Sequence, residues 1–102
     1  MGVVPMHELT GFQRDMIYCI AALDEPYGFE IGWGLEEYSP IKISHSLLYS
    51  NLHDLVDKGL VRKETKDDRT HQYTLTVLSE EIIVERRQWE NEQLEATNIN
   101  FE

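Results

Sequence analysis

A mainly α-helical fold carrying one small β-hairpin is predicted for this chain of 102 residues. Three observations predict it. Apolar residues recur at helical spacing in three stretches before Gly59, the pattern changes to short extended runs from Val61 to Thr76, and helical spacing then returns. The first helix spans about residues 11 to 23: Thr10 followed by Gln13 is a capping-box pattern, and Phe12, Met16, Cys19, Ile20 and Leu23 repeat behind it. Asp24, Pro26 and Gly28 interrupt the chain. Phe29, Ile31, Leu35 and Tyr38 then mark a second helix that ends before Pro40 and is weakened by Gly32 and Gly34. Ser44 caps a third helix whose inward stripe is Leu48, Leu52 and Leu55, closed by Gly59. Val61 to Glu64 and Gln72 to Thr76 read as two strands separated by a polar turn. Thr76 or Ser79 caps a last helix to about residue 95, with Leu78, Ile82, Trp89 and Ala96 near one face, and residues 97 to 102 are expected to fray.

The chain is long enough to bury one modest core without metal or disulfide staples. Neither a membrane span nor a signal-peptide pattern is present in the sequence, and a lone cysteine, Cys19, fits a reducing compartment, so a cytoplasmic, nucleoid-associated protein is expected. Nineteen Asp and Glu against nine Lys and Arg give a net charge of -10, a balance that by itself argues against nucleic acid as a partner. The distribution reverses that argument. Residues 1–43 hold seven acids and two bases, residues 44–75 five of each, and residues 76–102 seven and two. Acidity is thus diluted in the segment containing the third helix and the hairpin.

Three helices followed by a two-stranded hairpin make a winged helix-turn-helix, in which the third helix enters the major groove of double-stranded DNA and the hairpin tip reaches adjacent backbone or minor groove. At 100° per residue, Ser46, Tyr49, Ser50 and His53 share the face opposite the leucine stripe. The serine hydroxyls and the Tyr49 phenol are donors for phosphate or base edges, and Asn51 is expected to reach a base or phosphate. Ser44 and His45 place free backbone N–H groups where a phosphate would lie. In the wing, Arg69 with Thr70 and His71 is the expected phosphate or minor-groove contact, backed by Arg62, Lys63 and Lys66.

Cys19 lies in an apolar stripe and reads as a core residue rather than a sensor thiol. His53 and Asp57, four apart, read as a helix-surface hydrogen bond rather than metal ligands, and no metal site is expected. Trp33 and Trp89 are expected to pack in the core or between subunits. No nucleophile, base and oxyanion arrangement and no Gly-rich phosphate loop argue for an enzyme. The competing reading is an acidic winged helix used for protein contact within the transcription machinery.

Several segments together resemble the PadR-like winged-helix regulators, and more narrowly their haloarchaeal members. They are Leu9-Thr10-Gly11-Phe12-Gln13-Arg14-Asp15, Leu23-Asp24-Glu25-Pro26-Tyr27-Gly28, Leu48-Tyr49 with Asn51-Leu52, Leu55-Val56-Asp57-Lys58-Gly59-Leu60-Val61, Asp68-Arg69-Thr70 and Tyr73-Thr74-Leu75-Thr76. Trp33 between Gly32 and Gly34 departs from the pattern. The resemblance implies a transcriptional regulator in which residues 1–76 form the DNA-binding part and residues 77–102 a dimerisation helix and tail, as one continuous domain. It also implies a homodimer, with the last helix packing on the partner's first helix through Phe12, Met16, Leu78, Ile82 and Trp89, and one palindromic operator. The acid excess with only four lysines fits molar internal salt. No cofactor is expected beyond inorganic ions, K+ or Cl−, held at the DNA interface.

Overall fold

The computed structural model describes residues 5–101. A single 3-10 turn, Met6–Glu8, precedes α1 (Gly11–Ala22), α2 (Gly28–Tyr38), α3 (His45–Asp57), β1 (Val61–Thr65), β2 (His71–Leu75) and α4 (Val77–Leu94). The strands pair antiparallel, Val61 opposite Leu75 and Thr65 opposite His71. This is the winged-helix order that the sequence predicts.

Local chemistry sets most boundaries. At α1 the Thr10 hydroxyl accepts from the Gln13 N–H at 3.1 Å while the Gln13 carbonyl oxygen accepts from Thr10 N–H at 3.4 Å, completing the capping box. Helix α2 begins where Glu30 accepts from the Tyr27 N–H at 2.8 Å, and α3 where Ser44 accepts from the Leu47 N–H at 3.1 Å. Gly59, at φ 76°, ends α3: its N–H donates to Val56 and that of Leu60 to Leu55, the paired bonds of a left-handed helix stop. Thr76 caps α4 and therefore leaves the strand. Its hydroxyl donates to the Gly59 carbonyl at 2.7 Å, pinning the start of α4 to the end of α3. Ala96 falls beyond α4.

The glycines do not prevent α2 from forming, because Gly32 is buried where a Cβ would lie 3.2 Å from Leu48. There the missing side chain permits close approach to α3, which offsets the roughly 1 kcal/mol that glycine costs inside a helix.

The core is centred on Met16, Ile17 and Ile20 of α1, Ile31 and Leu35 of α2, and Leu48, Leu52 and Leu55 of α3, and Tyr73 and Ile82 extend it to the wing and α4. Two faces differ from the expected stripes. In α1 the inward face is Gln13, Met16, Ile17 and Ile20, with Phe12 and Cys19 on its shoulder and Leu23 exposed. In α2 it is Ile31 and Leu35, leaving Phe29, Trp33 and Tyr38 exposed. Both stripes keep expected members, Met16 and Ile20 in α1 and Ile31 and Leu35 in α2, and complete the i, i+3, i+4, i+7 set with Gln13 and Ile17 in the first and Gly28 and Gly32 in the second.

Beyond the hairpin's own pairing, β2 gains a second neighbour. The Tyr73 N–H donates to the Pro26 carbonyl at 2.9 Å, Tyr27 pairs with Gln72, and the Gln72 amide donates to the Glu25 carbonyl at 3.0 Å. The segment read only as a helix breaker therefore anchors the wing to the helical body, with Glu25 at φ 44° turning the chain.

Candidate nucleic-acid interface

Helix α3 has two unlike faces. Leu48, Leu52 and Leu55 are buried, whereas Ser44, His45, Ser46, Ser50 and His53 are exposed. The outer face is polar, and beyond the two histidines its one ionisable group is Asp57 at the C-terminal end. The Ser50 hydroxyl donates back to the Leu47 carbonyl at 3.2 Å and keeps its oxygen lone pairs available. His53 Nε2 lies 3.3 Å from the Asp57 carboxylate on the helix surface. No cluster of three or more metal-type ligands occurs among the described residues.

Two of the expected helix contacts are partly withdrawn from solvent. Tyr49 is half-buried: its ring packs on His45, centroids 4.4 Å apart, and bends toward the start of α2, where a Cβ on Gly28 would lie 2.6 Å from Cε1 of the ring. Asn51 is also half-buried. Its amide donates to the Leu47 carbonyl at 2.8 Å, and its side-chain oxygen accepts from Gln13 Nε2 at 3.1 Å. Neither turn follows from helical spacing, because both depend on a partner in a distant element.

The wing tip is a compact polar turn. The Thr70 carbonyl accepts from the Lys66 N–H at 2.8 Å, and the Asp67 carboxylate accepts from the Arg69 N–H at 2.9 Å. That second bond, followed by the Thr70 hydroxyl, holds the Asp67 carboxyl below its ordinary range. Arg69 is exposed, and no ion pair to its guanidinium is found among the described residues. Lys66 is engaged with Glu64 at 2.6 Å, which raises the lysine and lowers the carboxyl. His71 Nδ1 lies 3.1 Å from the Thr65 hydroxyl across the strands. Arg62 and Lys63 are both exposed but adjacent on β1, so the pleat directs them to opposite faces. Arg69 is thus the cation most available at the tip.

Helix α4 is poorly covered, burying only Ser79 and Ile82. Met16 and Ile82, expected at a dimer contact, are 0% and 3% exposed and fill the subunit's own core. Among the residues expected there, Phe12 is half-buried, and Leu78 and Trp89 are exposed, the latter with the Arg86 guanidinium 4.8 Å above its ring. Trp33 is not a core residue either: it stands 63% exposed and edge-on to Phe29, which stacks on Tyr27. Cys19 is half-buried, and burial followed by the charges of Asp15 and Glu37 pushes its thiol up, the opposite of an activated thiolate.

An exposed polar helix face and a hairpin whose tip presents the free Arg69 guanidinium, both carried by a three-helix body, define a winged-helix DNA-binding protein. The chain belongs to the transcriptional regulator PadR-like family, whose pattern matches residues 17–91. It is similar to the solved structure of RosR from Halobacterium salinarum grown from NaBr, with 37% identity, a TM-score of 0.83, and coverage of 88% of this chain and 81% of that one. The RosR-S1 complex matches with 36% identity, a TM-score of 0.84, and coverage of 89% and 80%. The RosR-S4 complex matches with 37% identity, a TM-score of 0.83, and coverage of 88% and 77%. No curated protein sequence matches. As a member of this family the chain is a DNA-binding transcriptional regulator, and no helix among the described residues is long and apolar enough to cross a membrane.

Proposed function

We propose that two copies of the chain bind one palindromic operator, each presenting α3 to the major groove and its wing to the flanking backbone, and that they do so at molar salt. The observation that carries this reading is the exposed, nearly uncharged outer face of α3 together with an exposed Arg69 that has no ion pair among the described residues, on a molecule of net charge -10. Ser44, His45, Ser46, Ser50 and His53 supply the helix contacts, and Arg69 with Thr70, Arg62, Lys63, Lys66 and His71 the wing contacts. Leu78, Trp89 and Phe12 supply apolar area for pairing, with half-sites about 10 bp or a multiple of it apart.

At about 1 M salt the screening length is near 3 Å, so repulsion between distant carboxylates and phosphates nearly vanishes while direct contacts persist. The similarity to Halobacterium structures fits this regime. Ordinary DNA binding weakens with salt because each neutralised phosphate releases a counterion. A protein with few cations at the interface releases few, and carboxylates facing phosphates retain K+ between them.

Titrating a labelled duplex, selected by the protein from a random pool, from about 0.1 M to molar KCl tests the reading. Affinity that stays flat or rises supports it, and a steep conventional loss overturns the salt adaptation. Arg69→Ala and Ser46→Ala are expected to weaken binding at every salt concentration while leaving the assembly intact. Sedimentation showing single subunits would overturn the paired reading.

A further inference from the structure

Gln13 is one of two buried polar side chains among the described residues, 6% exposed, and every polar atom of its amide is engaged. Its oxygen accepts from the Thr10 N–H at 3.4 Å, and its Nε2 donates to Asn51 at 3.1 Å and to Asp54 at 2.7 Å. Asn51 and Asp54 are successive residues on one face of α3, three positions apart. Asp54 also accepts from Lys58 at 2.6 Å, and these two bonds, that of Lys58 first, hold its carboxyl below the ordinary range. The amide has one workable orientation. Turned over, its oxygen would face the Asn51 oxygen and the Asp54 carboxylate, three acceptors with no proton among them.

We infer that Gln13 is a positioning residue for DNA reading: from α1 it fixes the roll of α3 and holds Asn51 away from the DNA. This rests on α3 being the recognition helix. The leucine stripe alone does not fix the roll, because apolar contact is non-directional, whereas a hydrogen bond weakens steeply once bent. A roll of roughly 20° carries a side-chain tip about 5–6 Å from the helix axis through about 2 Å. That is several times the tolerance of a hydrogen bond to a base edge, so Ser46, Ser50 and His53 would lose register with the groove. Gln13 also serves the α1 cap, and the test must separate the two roles.

Gln13→Glu separates them. Glutamate keeps the acceptor that completes the capping box but loses both donors and places a carboxylate against Asp54. With the duplex selected by wild-type protein and its single-base-pair variants as probes, discrimination is expected to fall about tenfold. Affinity for an unrelated duplex and the helix content are expected to stay within about twofold and unchanged, respectively; a ratio of this kind is not moved by a purely structural loss. Asn51→Ala leaves the Asp54 bond in place and is expected to reduce discrimination less. Combined with Gln13→Glu it adds nothing further, because the two act through one tie. Folded Gln13→Glu protein that discriminates as wild type overturns the inference. So does an additional, multiplied loss in the double variant, which would make Asn51 a direct contact. If Gln13→Glu fails to fold, Asp54→Ala, which cuts the other end of the tie and leaves the α1 cap intact, decides alone: lost discrimination supports the inference, and discrimination as in wild type overturns it. A wild type that enriches no duplex overturns the operator reading itself, an outcome distinct from these.

Discussion

Helices α3 and α4 are the two longest in the subunit, yet one is completed by its own chain and the other is not. Helix α3 buries Leu48, Leu52 and Leu55 along its length, is tied to α1 by Gln13, and is stopped by Gly59. Helix α4, 18 residues and roughly 27 Å long, buries only Ser79 and Ile82 near its start and leaves Val84 and Trp89 65% and 51% exposed. Short helices are marginal in water unless a packed face supports them. The contrast teaches where each helix finds its stability: α3 along its length in the subunit core, α4 there only through its first turns, and a second copy is the occupant proposed above for the rest.

The contrast can be broken or sharpened by substitution. The largest effect belongs to Leu52→Ala, which empties a site 1% exposed and is expected to cost about 2–5 kcal/mol, read from urea denaturation. Gly28→Ala drives a methyl into the Tyr49 ring and is expected to cost about 1–3 kcal/mol, with Tyr49 displaced from His45 and visible as a shifted aromatic resonance. Trp89→Ala on α4 trims a side chain that is 51% exposed and is expected to change the stability of the isolated subunit by less than about 1 kcal/mol. It is nevertheless expected to weaken self-association at least about tenfold by sedimentation, as loss of an aromatic anchor does. Equal effects of Leu52→Ala and Trp89→Ala on a dilute subunit would erase the distinction between the helices.

The smallest effect concerns pH. Asp54 is partly exposed and its carboxyl is lowered by Lys58 and Gln13. Its contribution is therefore full above the ordinary carboxylate pKa of about 3.9 and is lost as pH falls through the lower folded value. Asp54→Asn is expected to flatten the acid-side decline of the urea midpoint slightly, and an unchanged slope would show that the tie between α1 and α3 carries no charge-dependent stability.

Much of this was legible because it is written in local chemistry. Thr10 with Gln13, Ser44, Gly59 and the leucine stripe of α3 specify their own helix ends and faces, and the polar run between the strands specifies a turn. The wing's attachment to Glu25, Pro26 and Tyr27 was not legible, since those residues read only as a break until β2 arrives beside them from nearly fifty residues away. Gln13 looked like a cap and proved also to be a core bridge. Tyr49 lay on the expected outer face by angle and Asn51 was expected to reach a base or phosphate, yet a bare Gly28 on α2 and the Gln13 amide on α1 drew them inward.

The sequence by itself determined the order of the elements, their caps and the side of α3 that faces the leucines, because these depend on residues within a turn or two of each other. Only the tertiary structure decided which polar side chains remain free on the outer face and which exposed rings α2 and α4 are left to display. Those choices depend on donors, acceptors and space contributed by helices far apart in the chain, and periodicity holds no information about what stands opposite.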